Sequence, residues 1–387
     1  MAIEKDAQRQ LAFIQELIFG TTPSTPAGQI LRHVSESLGV DSNYIDNPEM
    51  RSDNMRDAGR RGALKGKGSI SGKLSYGTYD WALAAVLGNF GFSTNVAKVR
   101  PLVSETAATI AVAAAGKTFT RPAGSFITDG FAVGDYVTVT GATNGGNNGT
   151  FLISTLTALV MTCTTATGLV DEAANAAIHI QTNIRPSFTL EAGYKGNGLY
   201  FPYLGAVVDA VSLSGKVGDA VDVTIDLLTK SVSNESYTSL FSTLTAQNTN
   251  PLITAWDGSV KKGGVSLGNV VGWDLKIARN AGAAEVVGNS AIYDIQPGLA
   301  MVTGSLEIWL DSFAAYTDFR AENDVALQFN LGPGGTKSYT IDLTRCRFKN
   351  WAQNGSKDGG MLSYTVEFES VLPSSGTNTN CMITRLP

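Results

Sequence analysis

Charge, cysteine and histidine are all scarce in this chain of 387 residues. Charged side chains make up 16% of the sequence, well below the roughly 25% of ordinary soluble domains. The three cysteines, Cys163, Cys346 and Cys381, are odd in number and widely scattered, which favours neither a disulfide framework nor a zinc site. This cysteine usage fits synthesis in a reducing compartment.

The sequence also lacks the segments that direct a chain into or across a membrane. Residues 1–9 carry charges where a signal peptide needs an apolar run, and no stretch approaches the ~20 apolar residues of a membrane span. The net charge of -5 and the pI near 5.2 argue against a surface that grips nucleic acid, because such binding needs clustered Lys and Arg.

Signatures of enzymatic chemistry fail when their residues are checked. Ala111-Val-Ala-Ala-Ala-Gly-Lys-Thr118 resembles a phosphate-binding loop, but Ala111 replaces the first glycine, and residues 119–122 cannot begin the required helix. The only histidines, His33 and His179, lie in different predicted modules without a nucleophile-elbow serine or cysteine nearby. We therefore predict no enzyme, no catalytic residue, no cofactor and no bound metal.

Carboxylates leave two weaker alternatives open. Asp41, Asn43, Asp46 and Glu49 hint at a calcium loop but lack its central glycine. Paired carboxylates on separate strands could also form a glycosidase site, since that geometry depends on distances in space.

Alternation of apolar and polar residues is the strongest positive signal. Val221-Asp-Val-Thr-Ile-Asp-Leu227 alternates without a break, as do residues 325–331, 339–344 and 362–369. Such segments are typical of antiparallel strands with one buried face. Further strands are predicted over 187–192, 206–213, 271–278, 299–309 and 346–351, with one helix over 311–323. The sequence thus predicts a mostly β protein, a β-sandwich or barrel with minor helices.

Composition divides the chain into two parts. Residues 103–182 are rich in Ala, Thr and Gly and poor in charge. Within them, 125–140 reads as a turn and then a strand, and Asn144-Gly-Gly-Asn-Asn-Gly149 is typical of a hairpin turn. We predict that 103–182 form a small all-β domain inserted into a discontinuous domain of residues 1–102 and 183–387.

Two segments near the N-terminus are predicted to be extended. Within residues 1–45, Leu11, Ile14 and Ile18 would line one face of a helix, yet the Gly- and Pro-rich residues 20–28 favour an extended arm. Residues 46–68 form a long basic loop with many glycines, ahead of a polar strand over 69–75 and a short apolar helix within 76–88. These parts suit a protein whose copies join together.

Three blocks of the sequence occur in an order that belongs to a known family. They are the arm residues 12–23 and 30–38, the block Gly68-Ser-Ile-Ser-Gly-Lys-Leu-Ser-Tyr-Gly-Thr-Tyr-Asp-Trp81, and the closing strands 338–348 and 360–368. In these blocks the chain resembles the tail tube proteins, or major tail proteins, of long-tailed non-contractile bacteriophages. Residues 130–151 also resemble a small β-module inserted in some tail proteins.

The resemblance implies a tail-tube β-sandwich whose subunits form hexameric rings with a continuous inner β-barrel. The rings would stack around a tape-measure protein, meet tail terminator and distal tail proteins, and later conduct DNA without binding it specifically. The protein would belong to the virion tail after synthesis in the host bacterial cytoplasm. The arm, with Phe13, Ile14, Phe19 and Pro23 as candidate contacts, and the long loop would bridge subunits or rings.

Acidic residues on the alternating strands suggest where DNA would pass. The candidate channel-lining residues, all at water-facing positions, are Asp222, Asp226, Asp342, Glu367 and Glu369. An acidic wall would keep the phosphate backbone from sticking during transit. Ordinary solvated outer faces are the alternative.

Five cations form the one basic run of the chain, and they are candidates for contacts between subunits or rings. They are Arg56, Arg60, Arg61, Lys65 and Lys67. The residues between them include no aromatic side chains that could stack on bases. The run therefore favours a solvated loop or a bridge to acidic partners over a nucleic-acid site.

Two other classes of function stay open. The predicted insert could bind carbohydrate on the host surface, and the whole chain could be a virion-associated depolymerase. A third possibility for the insert is decoration that adds contacts between rings.

Overall fold

The computed structural model describes residues 9–107, 109–164, 168–233, 235–333, 336–355, 361–373 and 379–387. Residues 1–8 of the predicted arm lie outside this range. The first elements are β1 (Arg9–Glu16), β2 (Ala27–Leu31), β3 (Ser35–Glu36), β4 (Gly39–Ile45), β5 (Arg60–Lys73), helix α1 (Asp80–Val86) and β6 (Val96–Lys98).

A second group of elements lies between residues 110 and 182. It comprises β7 (Ile110–Ala113), β8 (Thr118–Thr120), the helical turn α2 (Phe126–Asp129), β9 (Tyr136–Thr140), β10 (Gly149–Leu156), β11 (Val160–Cys163), β12 (Glu172–Asn175) and β13 (His179–Thr182). These strands form a seven-stranded sheet in the order β12-β7-β8-β11-β10-β9-β13. Its two sides enclose a separate core that includes Phe119, Phe126 and Ile180.

The remaining elements complete the large sheet. They are β14 (Ser187–Tyr194), β15 (Leu199–Lys216), β16 (Asp222–Val232), β17 (Thr243–Thr245), β18 (Ser259–Lys262), β19 (Val265–Ser266), β20 (Val270–Ala278), β21 (Gly282–Ala284), β22 (Asp294–Gln296), β23 (Met301–Trp309), α3 (Ala314–Arg320), β24 (Val325–Leu331), β25 (Ser338–Asn354), β26 (Ser363–Ser370) and β27 (Met382–Leu386). Apart from helix α3 and the small β21–β22 hairpin, they pair with β1–β6 in one curled sheet around the main core.

The predicted mostly β fold with minor helices is confirmed, and its strands are amphipathic as their alternation predicted. On β16, Val223, Ile225 and Leu227 are buried, while Asp222 is exposed and Asp226 half-buried. Period-two alternation places successive side chains on opposite faces of a strand. One face of the curled sheet therefore meets the core and the other meets water.

Several predicted boundaries were wrong, including that of the strand predicted over 206–213, which is part of the longer β15. The segments 339–344 and 346–351 belong to one strand, β25, because an irregularity in its pairing breaks the alternation without ending the strand. The helix predicted over 311–323 covers only Ala314–Arg320. The loop predicted over 46–68 ends before Arg60, because β5 is already paired with β4 from that residue onward.

The described part of the N-terminal arm is extended, but it is built into the sheet. β1 pairs with β14 from Arg9 to Glu16 and also with β2. Its anchor is the buried carboxylate of Glu16, which accepts hydrogen bonds from four donors, among them Ser187 Oγ at 2.7 Å and the Gly205 N–H at 2.9 Å. This segment therefore folds with the domain.

The large sheet contains the same topology twice. In the first repeat, β1 pairs with β2 and β14, and the sheet continues β14–β15–β16–β5, with β3 and β4 beside β5. In the second repeat, β18 pairs with β19 and β24, and the sheet continues β24–β25–β26–β23, with β20 beside β23. Helices α1 and α3 follow β5 and β23 at the same point of each repeat.

Register and sequence support the equivalence of the two repeats. Pairing shifts between Val208 and Ala210 on β15 and between Phe348 and Asn350 on β25, at the same place in each repeat. A second matched irregularity occurs where β14 meets β15 and where β24 meets β25. Thr224-Ile-Asp-Leu227 on β16 then aligns with Thr365-Val-Glu-Phe368 on β26, and Gly68-Ser-Ile70 on β5 aligns with Gly304-Ser-Leu306 on β23.

The two repeats join by direct strand pairing. The C-terminal half of β15 pairs antiparallel with β20, from Ala210 opposite Ala278 to Lys216 opposite Gly272. Val211, Leu213, Leu275 and Ile277 are buried along this joint. We call this β15–β20 pairing the internal joint.

Candidate functional site

A polar face runs across both repeats, over the strands β5–β16–β15–β20–β23–β26–β25. Cross-strand partners share this face because opposite residues in antiparallel sheets point the same way. Its members, taken from the registers, are Lys67, Ser69, Ser71, Lys73, Asp222, Thr224, Asp226, Ser212, Ser214, Asp274, Lys276, Thr303, Ser305, Glu307, Thr365, Glu367, Glu369, Arg347, Lys349 and Asn350. The interleaved residues enter the main core.

The polar face carries both signs of charge. Lys73 Nζ lies 2.7 Å from Asp222 Oδ1, and Lys349 Nζ lies 2.5 Å from Glu369 Oε2. Two of the five acids predicted to line the channel are thus paired with lysines on neighbouring strands. The alternating segments that suggested an acidic wall did not include these lysines.

Asp226 and Glu367 are equivalent residues of the two repeats. They occupy the same position beside the matched irregularities, with Asp226 opposite Ala210 and Glu367 opposite Asn350. Among the described residues, neither carboxylate lies within ion-pair distance of a cation. They are the two acids of the polar face that recur in both repeats.

The fifth predicted acid, Asp342, lies apart from the other four. It is on the half of β25 that pairs with β24 and β27, whereas the polar face uses the half that pairs with β26. Its carboxylate accepts a hydrogen bond of 2.6 Å from Gln328 Nε2.

The basic run divides between a loop and a strand. Arg56 stays in the loop, where its guanidinium lies 3.1 Å from Asp46. Arg60 and Arg61 pair with the end of β4, and Lys65 and Lys67 lie further along β5. The run therefore follows a long β4–β5 hairpin whose far end extends beyond the part of β5 that β16 covers.

The candidate arm residues have contacts within their own chain. The Phe13 ring lies 4.7 Å from Trp81 between centroids, and the Arg185 guanidinium lies 4.1 Å above the Phe19 ring. Ile14 and Pro23 are half-buried. The exposed apolar residues nearby are Leu17 and Ile18, which sequence reasoning did not select.

Further exposed apolar side chains lie on the hairpin and elsewhere, and sequence reasoning missed them. On the edge strands β3 and β4 and just beside them they are Val34, Val40, Tyr44 and Ile45. On other loops they include Tyr237, Trp256 and Phe313. Large exposed apolar side chains grouped on one surface mark interaction sites.

The seven-stranded sheet meets the large sheet at a junction with a buried ion pair. Arg100, just after β6, pairs with Asp135, just before β9. Burial raises the pKa of the Asp135 carboxyl, an effect that the Arg100 cation opposes. Phe90 stacks on Tyr136 with centroids 4.1 Å apart, beside a cavity of about 260 Å³.

The described residues, among them Asp41, Asp46 and Glu49 of the weak calcium pattern, contain no group of three or more His, Cys, Asp or Glu that could hold a metal ion. All three cysteines are buried and unbonded, and burial raises the pKa of Cys163 and of Cys346 to about 12. In the part of the chain that the structure describes, no helix has the length and apolarity needed to cross a membrane.

Comparison with known proteins gives one clear result. The family model described as phage tail tube protein matches residues 6–370, which is nearly the whole chain and includes both repeats. No curated protein matches the sequence. The family is structural and is not a class of enzymes. On the strength of this match, the chain belongs to the phage tail tube protein family.

Proposed function

We propose that copies of this chain assemble into stacked rings that form the tail tube of a phage. The polar face carries this proposal, because a curled sheet with one dry face against the core and one continuous wet face is what the wall of a water-filled tube requires. The tube would enclose the tape-measure protein and then conduct DNA, and its ends would meet terminator and distal tail proteins. Synthesis would take place in the host bacterial cytoplasm.

The exposed hairpin and the N-terminal segment are proposed as contacts between subunits or rings. The β4–β5 hairpin combines Arg56, Arg60 and Arg61 with exposed Tyr44 and Ile45. Apolar and charged side chains together would let a neighbouring copy be recognised by both shape and charge. In the N-terminal segment, the exposed Leu17 and Ile18 join the candidate arm contacts Phe13, Ile14, Phe19 and Pro23.

We also propose that residues 103–182 are an inserted domain with a role outside the wall. The chain enters and leaves it at one place, where Thr182 Oγ1 accepts a hydrogen bond of 2.8 Å from the Val103 N–H and donates one of 3.2 Å to the Pro101 carbonyl. Such close ends suit insertion into a preformed domain. Decoration that adds contacts between rings fits this placement.

Electron microscopy of the purified full-length protein tests the tube. We expect hollow tubes of constant diameter with a short axial repeat, and labelled antibodies should decorate the tails of virus particles. A protein that stays monomeric at every concentration and is missing from virus particles would contradict the proposal.

The charge of the channel is tested at the two equivalent acids. Asp226→Lys combined with Glu367→Lys should slow DNA ejection from otherwise normal particles, since added cations would attract phosphate at each repeat. The matched control changes two exposed acids off the polar face, Glu235→Lys with Glu285→Lys, and should leave ejection unchanged. Equal ejection rates for both variants would mean that the polar face does not line the channel.

A further inference from the structure

The internal joint shows how one repeat binds the next, and the chain carries the unused halves of the same joint at its two outer edges. The donor edge in the first repeat is β15, and its equivalent in the second repeat is the C-terminal half of β25. The acceptor edge in the second repeat is β20, and its equivalent in the first repeat is β3 with β4. Within the described residues, the C-terminal half of β25 pairs only with β26, and β3 and β4 pair only with β5. Each of these strands therefore keeps one open side.

We propose that neighbouring copies join by pairing the C-terminal half of β25 of one copy with β3 and β4 of the next, in the register of the internal joint. This inference rests on the proposed tube and specifies its ring contact. A head-to-tail contact of this kind uses two different surfaces and closes into a ring when the rotation fits.

The register follows from the matched strand pairs. Ala210 corresponds to Asn350, since each lies just past the matched irregularity. Ala278 corresponds to Asp41, because Ala278 lies opposite Met301 on β23 and Asp41 lies opposite Lys65, the equivalent residue on β5. The internal pair Ala210–Ala278 therefore becomes Asn350 opposite Asp41 between copies.

A second pair follows in the same way. Ser214 lies opposite Asp274 in the internal joint. Ser214 corresponds to Asn354, which lies opposite Ser363 as Ser214 lies opposite Asp222. Asp274 lies opposite Ser305, which is the equivalent of Ser69, and the Ser37 hydroxyl lies 3.1 Å from that of Ser69. Asp274 therefore corresponds to Ser37. Asn354 should therefore lie opposite Ser37 of the next copy.

Burial supports the same assignment. Ile277 is 0% exposed in the internal joint, whereas its equivalent on β4, Val40, is 53% exposed. Val34, at the start of the acceptor edge, is 72% exposed. An apolar side chain left open at a position where its twin is buried indicates a surface that a second copy covers.

The acceptor edge is partly capped in the free chain. The Leu38 N–H donates to the Glu36 carboxylate at 2.6 Å, and the Leu38 carbonyl accepts a hydrogen bond of 3.1 Å from the Tyr203 hydroxyl. Capping of an edge strand protects it from unwanted pairing. Joining would exchange these two bonds for strand pairing, while the edge around Val40 is already open.

Because each chain contains two repeats, the number of chains expected in a ring is halved. Each chain supplies two repeats, so a wall of six repeats contains three chains. The hexameric ring expected from the family resemblance then becomes a ring of three copies. Only the first repeat carries the inserted sheet, so such a ring has three inserts.

Cysteine cross-linking in assembled protein tests both the register and the count. The variant Asn350→Cys with Asp41→Cys should form disulfides between copies under mild oxidation, because paired strands bring Cα atoms within the ~7 Å limit for a disulfide. The variant Asn354→Cys with Ser37→Cys should do the same. The three native cysteines are buried, so the wild-type protein should not cross-link and serves as the background.

The matched control combines one member of each pair, Asn354→Cys with Asp41→Cys. These residues would be four positions out of register, roughly 13 Å apart along the strand, and should not cross-link. On a denaturing gel without reductant, the in-register variants should give a ladder that stops at three chains.

The outcomes separate this inference from the proposed function. Tubes whose in-register variants fail to cross-link would overturn the joint, as would equal cross-linking of the control. A ladder that stops at six chains would overturn the ring of three. A wild-type protein that forms no rings or tubes would overturn the tube itself.

Discussion

The two repeats share the same pattern of strand pairing and differ in the segments inserted between their elements. In the second repeat, α3 reaches β24 through residues 321–324, whereas in the first repeat α1 and β14 are separated by residues 87–186, which include the seven-stranded sheet. Both repeats nevertheless keep the same strand order and the same two irregularities. The connection after the helix is therefore a place where the fold tolerates a long addition.

The comparison also separates inner from outer edges. At the internal joint, Leu275 and Ile277 are both buried, whereas at the equivalent outer edge Leu38 is buried and Val40 is 53% exposed. The proposed joint therefore predicts that the same position contributes to folding in one repeat and to assembly in the other. Paired substitutions at equivalent residues can measure the two contributions separately.

The largest expected effect is at Ile277. Ile277→Asp would bury an unpaired carboxylate inside the internal joint and should lower the free energy of unfolding by about 4 kcal/mol or more. Val40→Asp, its equivalent at the exposed edge, should change the unfolding free energy by less than about 0.5 kcal/mol and yet block assembly. Denaturant unfolding and sedimentation measure the two effects. Normal tubes from Val40→Asp would contradict the equivalence of the edges.

The next effect concerns an anchor peculiar to the first repeat. Glu16→Gln would leave some of the four donors around this carboxylate without an acceptor and should cost roughly 1–3 kcal/mol of stability. Chemical denaturation compares it with Glu367→Gln, a change at an exposed carboxylate that should leave stability unchanged. Equal stability of the two variants would mean that Glu16 does not hold β1 in the sheet.

Removal of the insert makes the first repeat resemble the second. Replacing residues 103–182 by a short Gly-Ser linker should preserve tubes, because the second repeat connects its helix to the next strand in four residues. Electron microscopy should show the same axial repeat with density missing at one place per chain. Loss of folding or of assembly in this variant would show that the insert is part of the wall.

The smallest expected effect is at an exposed ion pair of the polar face. Lys349→Gln removes the cation beside Glu369 and should change stability by less than about 0.5 kcal/mol, because exposed ion pairs contribute little. Lys73→Gln, which affects the pair with Asp222 in the first repeat, should behave alike. A loss above 1 kcal/mol in thermal unfolding of only one variant would show that the repeats differ on this face.

Much of the fold could be predicted because alternation directly reports a half-buried strand. Residues 325–331 form β24 at the predicted bounds, and 221–227 lie almost wholly in β16. The start of β5 could not be found in this way, since Arg60-Arg-Gly-Ala-Leu-Lys-Gly66 has no regular alternation and is held by pairing with β4. Such long-range pairing leaves no local signal.

The candidate site was predicted less completely. Four of the five acids proposed for the channel lie on β16 and β26, within the polar face. Asp342 does not, because it lies on the half of β25 that pairs with β24 and β27, whereas the polar face uses the half that pairs with β26. The internal repeat was missed, although Gly68-Ser-Ile70 with Gly304-Ser-Leu306 and Thr224–Leu227 with Thr365–Phe368 are its traces in sequence. The long addition between α1 and β14 changes the spacing of the repeats and hides their period.

Electron cryomicroscopy of the assembled tube tests the central claim most directly. The account predicts a continuous β-wall in which β25 of each copy pairs with β3 and β4 of the next. This wall should contain one insert for every two repeats. A wall with one insert for each repeat, or copies that meet through other surfaces, would contradict it.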